Sequence, residues 1–513
     1  MKWSAAMKII LKFAMFLSCI GSPVLAQAGN EDRYRPILEQ ASDEYKLGNY
    51  KAAAKTFKKV YSKSPELKKP AFAGLIETLR SNKQWDEAID VLKSEIQTSP
   101  FVSDYRIWLS EIYYSAGNYP ATLHELAFAE KITGPNESVL KIRYQTQQKL
   151  GQHQEAIATI TQYLEKQPKS YEALAARSSS YFELNLPGKA YADLQEGYKL
   201  RPFDEHIISN LTKVAYVLGR HGDVKIHGQK CMDQFPKNIL CYESLGKSAF
   251  KIGDYPRAIR HFETVLTLNP NSLENRQALA ESLAQNGNHA ESDSHYTQIL
   301  KMNPSYLPAM KSWAQNLNKR KNVAVLGERL LDFSSRRPED LWAAVELSRL
   351  LHLVGNNDQA VATMKNIAKT SDSDTARIYY AKTLYDVGQY NEAAKAINEI
   401  KDETYEKTYH LGLIRLKDKK LIEAIDQWQK VGSSSPLYFQ AQFNTVLAYE
   451  QQGDFKKAKE LLSALNPPTE YKILTDRKFL SLSLAEERKP ATSALVQTTN
   501  EPTYFLEWKL PTL

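Results

Sequence analysis

Apolar positions along this chain recur at helical spacing in two successive stretches joined by a short polar turn, and the whole arrangement then repeats. Within residues 239–272, Leu245, Ala249 and Ile252 mark one face of a first helix. Ala258, Phe262, Val265 and Leu266 mark one face of a second. Gly253-Asp254 predicts the turn between them, with Asp254 placed to cap the second helix. Pro270 ends that helix, because it has no N–H to continue the ladder and biases Asn269 out of the helical region. Gly246 and Ala258 are small where the two helices cross, and a larger side chain there would push the axes apart. Two helices of about 14 residues, about 20 Å each, cannot bury both faces alone. Stacking on the next pair completes the core.

The period is fixed. Pro168, Pro202, Pro236, Pro270, Pro304 and Pro338 fall 34 residues apart, and units can be started every 34 residues from Ser103 through Glu137, Tyr171, Glu205, Ile239, Leu273 and Leu307 to Leu341. Earlier units start at Tyr34 and Lys69, and later ones, on a shorter register, at Asp374, Tyr405 and Phe439, which makes 13 units. The run Leu245-Gly246, Phe250, Gly253-Asp254-Tyr255, Ala258, Phe262, Pro270 resembles the tetratricopeptide repeat, a 34-residue helix-turn-helix unit. The resemblance implies an all-α fold, a right-handed α-solenoid superhelix of stacked repeats, acting as a binding scaffold. The polar loop at residues 369–374 predicts a boundary between an N-terminal array, residues 34–373, and a C-terminal array, residues 374–470. Residues 471–489 carry one more helical pattern with nothing after it to pair with, the pattern of a capping helix. In residues 490–513, Tyr504, Leu506, Trp508 and Leu510 alternate. This predicts an extended tail that covers the last apolar face, lies in a groove or adds a strand to a partner's sheet.

The amino end has a different character. Lys2, Lys8 and Lys12 precede an apolar run from Phe13 to Gly21 and then Pro23-Val24-Leu25-Ala26-Gln27-Ala28, the layout of a secretory signal peptide over residues 1–26, cleaved after Ala26 or Ala28. Acylation at Cys19 is the lipoprotein alternative. The expected location is the periplasm of a Gram-negative bacterium, with outer-membrane association a further expectation and no later apolar run long enough to span a membrane. Cleavage would remove three lysines and no acid, lowering the formal charge from +8 to +5, too mild a surplus to argue for nucleic acid. Eight lysines between Lys46 and Lys69 face a single acid, Glu66. They read as a solvated helical face or as an attraction to anionic lipid or glycan.

Candidate chemistry is that of binding. Tyr45, Tyr114, Phe182, Tyr216, Phe250 and Tyr385 hold one repeat position at the end of first helices, which in the family tends to line the concave groove. They could stack on sugar rings, hold apolar peptide side chains, or pack on the next turn. Asn210, Lys213 and Lys247 stand on roughly the turns from which some family members clamp a terminal carboxylate, although the full clamp set is missing. Cys231 and Cys241 lie on adjacent helices of consecutive units, which in an exported protein predicts a disulfide, with two separate buried thiols as the alternative. His227, His261 and His295 share a register position, but with neighbouring repeats about 10 Å apart two imidazoles would have to lean together to reach one metal ion, so the shared position reads as coincidence or a pH-responsive surface and no metal site is expected. Gly246-Lys247-Ser248 imitates the end of a phosphate-binding loop without its first glycine and in a helical context. No nucleophile elbow or zinc-protease helix occurs, so neither an enzyme nor a cofactor is expected. Two functions fit: a scaffold for proteins of a cell-envelope assembly such as a pilus, secretion or outer-membrane biogenesis machine, or a glycan-binding module of an exopolysaccharide export or synthesis system.

Overall fold

The computed structural model describes residues 31–401, 404–487 and Trp508. The proposed signal peptide, Cys19 and the tail other than Trp508 lie outside the described residues. The described chain is helical, with no β-strand, and divides into two compact units between Leu268 and Asn269.

The first unit holds seven helix pairs: α1 (Glu31–Lys46) with α2 (Tyr50–Lys63), α3 (Lys68–Ser81) with α4 (Trp85–Thr98), α5 (Ser103–Ser115) with α6 (Tyr119–Thr133), and α7 (Glu137–Lys149) with α8 (His153–Lys166). These are followed by α9 (Tyr171–Glu183) with α10 (Pro187–Leu200), α11 (Glu205–Val217) with α12 (His221–Gln234), and α13 (Ile239–Lys251) with α14 (Tyr255–Leu268). The second unit continues with α15 (Leu273–Gln285) and α16 (His289–Met302), α17 (Leu307–Lys319) and α18 (Val323–Arg336), and α19 (Leu341–Leu353) and α20 (Asn357–Thr370). Then come α21 (Asp374–Asp386) and α22 (Tyr390–Asn398), α23 (Tyr405–Lys417) and α24 (Leu421–Gln429), α25 (Tyr438–Gln451) and α26 (Phe455–Ala464), and finally α27 (Lys472–Glu487). The sequence boundary at 373/374 falls inside this second unit, at the start of α21.

Local chemistry sets the helix starts. Ser170, Asp204, Asn238, Ser272 and Asp340 each stand one residue before a first helix, and each side chain accepts from the backbone N–H three residues on, at 3.0–3.3 Å. Each first helix ends in a turn whose central residue takes positive φ, as at Gly253 (φ 82°), a conformation that costs glycine little. Within each unit, helices pack on their sequence neighbours, and first helices such as α11 and α13 also touch each other. That is solenoid packing, in which each pair completes its neighbour's core.

The crossings are tight where the sequence places small residues. A Cβ on Gly246 would stand 2.9 Å from the Phe262 ring, so that glycine serves the α13–α14 crossing and the helix leaves no phosphate-binding loop there. The first unit buries Tyr191, Leu194, Leu211 and Val214 in one cluster and Phe57, Phe72, Leu79 and Leu92 in another. In the second unit Trp313, Leu326, Leu330 and Phe333 centre one core, while Leu384, Leu413 and Trp428 centre the next.

Candidate functional site

A cleft of about 600 Å3 runs along α9 in the first unit. Its floor is α9 itself, where Ala175, Ala176 and Ser179 leave room because their side chains are small. Gln145, Gln148 and Lys149 of α7 form one wall, and Asp204, His206 and Ile207 at the start of α11 form the other. Tyr114 and Tyr171 supply aromatic surface. The walls are fixed by the same residues that line them. Gln148 Nε2 donates to the Ala176 carbonyl at 2.6 Å and to Ser180 Oγ at 2.9 Å, tying α7 to α9. Asp204 caps α11, and the Arg201 guanidinium lies 5.1 Å from the centre of the Tyr171 ring.

Three carboxylates, Glu172, Glu183 and Asp204, line the cleft against one ammonium, Lys149. Burial, then the Glu172 carboxylate beside it, pushes the Tyr171 phenol above its ordinary range. Burial does the same for Tyr114, with Tyr119 adding to it. The phenols therefore stay neutral donors over the physiological range. A mixed aromatic, amide and carboxylate lining suits an extended segment with backbone amides to pair and a basic group to neutralise.

The sequence-selected aromatics take a different posture from an open stripe. Tyr45 packs on Tyr50 at 5.6 Å, Tyr114 on Tyr119 at 5.7 Å, Phe250 on Tyr255 at 5.6 Å and Tyr385 on Tyr390 at 5.9 Å. In each case the ring at the end of a first helix leans across the turn on the ring that opens the second. Tyr45 also places its hydroxyl 3.2 Å from Glu77 and Ser81. Phe182 lies under the Lys213 ammonium at 4.5 Å, and Tyr216 is half-buried against the cluster around Leu211. Of these aromatics only Tyr114 lines the cleft.

Asn210 donates to the His206 carbonyl of its own helix at 2.7 Å, Lys213 is engaged on Phe182, and Lys247 is exposed. None of the three lines the cleft. The floor residues Ala175 and Ser179 went unread in the sequence because smallness on a helix face signals a groove only once its neighbours are placed.

Cys231 and Cys241 are fully buried and joined as a disulfide with Cα atoms 6.2 Å apart, linking α12 to α13 beside Ile208. Closing this short loop contributes about 2–3 kcal/mol on the chain-entropy account. Mass spectrometry of the unreduced protein is expected to find Cys231 joined to Cys241, and reduction is expected to lower the unfolding midpoint of the first unit. Two free thiols, or a midpoint insensitive to reductant, would remove the staple.

His227 and His261 pack separately, at 5.3 Å from Tyr198 and 6.2 Å from Tyr242, and burial lowers the pKa of each. Among the described residues no cluster of histidine, cysteine and carboxylate side chains could hold a metal ion. In the lysine-rich opening repeats, Lys58 and Lys68 are paired with Glu87 and Glu95, each at 2.9 Å. No helix of the described residues is long and apolar enough to cross a membrane.

Capped helix pairs stacked at a fixed register define an all-α repeat solenoid with a polar groove. The family model described as tetratricopeptide repeat matches residues 38–103, 145–205 and 244–306, and these three regions are tetratricopeptide repeats. Repeats of this family imply a protein–protein interaction scaffold. Among solved structures, a crystal structure of MamA protein is similar at 16% identity, covering 34% of this chain and 94% of that one, with a TM-score of 0.32. MamA from Desulfovibrio magneticus is similar at 15% identity over 33% of this chain and 96% of that one, with a TM-score of 0.32. A tetratricopeptide repeat protein from Parabacteroides merdae is similar at 18% identity over 48% of this chain and 98% of that one, with a TM-score of 0.33. No curated protein sequence matches the chain.

Proposed function

We propose that this chain is a non-catalytic scaffold of the bacterial cell envelope, exported to the periplasm, which holds a protein partner by an extended segment laid along the α9 cleft. The observation that carries the reading is the cleft itself, built by residues of four consecutive repeats and lined by groups that pair with a peptide backbone. Each repeat contributes a small contact, and the Glu172, Glu183 and Asp204 carboxylates favour a segment bearing lysine or arginine. The signal-peptide layout of residues 1–26 supports export. The posture of the aromatics supports protein over polysaccharide. Four of the six, Tyr45, Tyr114, Phe250 and Tyr385, lean on the ring across the turn, and the stripe is interrupted at Arg80, Gln148 and Ala284, whereas a sugar platform needs successive aromatic faces.

A photocrosslinking amino acid at position 179, in place of Ser179 on the exposed floor of the cleft, is expected to capture a defined protein in the chain's own cells. The same group in place of Ala192, exposed on α10, is expected to capture far less. Charge reversal by Glu172→Lys with Glu183→Lys is expected to cut the adduct about tenfold, the equivalent of about 1.4 kcal/mol. Equal labelling from both positions would sink the scaffold reading. Polysaccharide retained at the cleft with no protein adduct would establish the glycan reading in its place.

A further inference from the structure

The turn between α7 and α8 departs from its counterparts. Tyr50, Tyr119, Tyr255 and Tyr390 each open a second helix and pack on the ring five residues before. In α8 the opening residue is His153, and five residues before it stands Gln148, which has no ring to offer. His153 lines the α9 cleft instead. A histidine also opens α12, where His221 Nδ1 lies 2.9 Å from the hydroxyl of Ser248, the tenth residue of α13. The tenth residue of α9 is Ser180, and its hydroxyl is already taken by Gln148 Nε2 at 2.9 Å. His153 Nδ1 is buried and has no hydrogen-bond partner among the described residues.

A second imidazole, His206, belongs to the wall formed by the start of α11 and is exposed. Its Nδ1 lies 3.2 Å from the Asn210 amide nitrogen of the same helix. The charged groups that share the cleft with these two rings are Glu172 and Glu183 from α9, Asp204 from the turn before α11, and Lys149 from α7. Of the charges beside the cleft, Glu155 lies on the first turn of α8 itself, Arg201 is engaged on Tyr171, and Glu205 accepts from Asn238 at 3.1 Å. With both imidazoles neutral, three carboxylates against one ammonium leave the cleft at a formal −2. With both protonated the same lining sums to zero. Imidazole is the side chain that ordinarily changes charge between pH 5 and 8.

We propose that the α9 cleft releases its cationic segment on acidification, with His153 and His206 as the groups that take up the protons. This regulation rests on the reading of the cleft as the seat of a basic segment. The sign follows from charge. A bound lysine or arginine disfavours a cation beside it, so binding is strongest above the imidazole range and is lost as pH falls through it. The carboxylates keep their charge over the same interval, since free carboxyl groups titrate near pH 4.

The test uses the full chain and a dye-labelled dodecapeptide of alternating lysine and serine, read by fluorescence anisotropy at constant ionic strength. Wild-type affinity is expected to fall about tenfold between pH 7.5 and pH 5.5, each imidazolium contributing about threefold by repulsion of the bound ammonium groups. His153→Gln with His206→Gln is expected to bind equally at the two pH values. His206→Gln alone, at an exposed position, serves should the double variant unfold, and is expected to keep about a threefold response. Wild-type affinity that does not change with pH would overturn the proposal and leave the cleft reading standing. A loss in acid that the folded glutamine variants share with the wild type would overturn it too, and would assign the loss to the carboxylates. No binding at either pH, or binding indifferent to Glu172→Lys with Glu183→Lys, would remove the cleft reading and this regulation with it.

Discussion

Trp313→Ala is expected to destabilise the second unit by about 3–5 kcal/mol, the range for deleting a large buried aromatic side chain. Trp313 is 2% exposed in α17 and stacks on Tyr296 with centres 5.7 Å apart and planes 13° apart. The Arg329 guanidinium covers it at 5.4 Å. The indole Nε1 donates to Asp293 Oδ1 at 2.7 Å, and Arg320 donates to both oxygens of the same carboxylate at 2.7 and 3.0 Å. Alanine would therefore leave a cavity between α16, α17 and α18 and strip one donor from a half-buried carboxylate. Trp313→Phe separates the two effects, since it keeps most of the ring and loses the N–H, and its cost is expected near the 1.5–3 kcal/mol of a hydrogen bond to a charged group. In a repeat array the loss can be local instead of global, so denaturant unfolding is to be paired with amide exchange across these three helices. A cost below about 1 kcal/mol for the alanine variant, with protection of α16–α18 unchanged, would show that the core there repacks freely.

The repeat was legible because its punctuation is chemical and local. Pro168, Pro202 and Pro236 stop second helices, and Ser170, Asp204 and Asn238 start the next first helices two residues later. Gly246 marked a helix crossing for the same reason, since only one residue type fits against Phe262. The posture of the aromatics depended on a partner five residues on. Tyr45 with Tyr50, Tyr114 with Tyr119 and Phe250 with Tyr255 recur as pairs, a signal present in the sequence but carrying no direction until the turn geometry is known. The α9 cleft was harder to see, because it consists of what Ala175 and Ser179 lack and of walls lent by helices 30 residues away on either side. Trp508 alternates with its neighbours in a way that marks an extended segment, yet its seat on His410 is a long-range contact that no local pattern encodes.

The helix crossing beneath that seat is itself a sharp test of the packing. Gly412→Ala is expected to cost about 1–3 kcal/mol, the penalty for overfilling a close-packed core. A Cβ at position 412 would stand 2.5 Å from Trp428 Cδ1 and 2.7 Å from Cε2, distances that real side chains do not tolerate. Trp428 has no slack to yield, because it is fully buried and its Nε1 donates to the Tyr409 carbonyl at 3.2 Å. Gly188→Ala in α10 is the matched control. It too lies in a helix, nothing stands within 4 Å of the added Cβ, and helix propensity alone is expected to make it neutral or stabilising by about 0.5–1 kcal/mol. The cause is isolated by a second change. Trp428→Phe shortens the side chain that meets position 412 and destabilises by itself, but combined with Gly412→Ala it is expected to cost less than the sum of the two, since the smaller ring relieves the clash. Strictly additive costs would mean that Gly412 acts through backbone conformation and that the α23–α24 crossing has room the structure does not show.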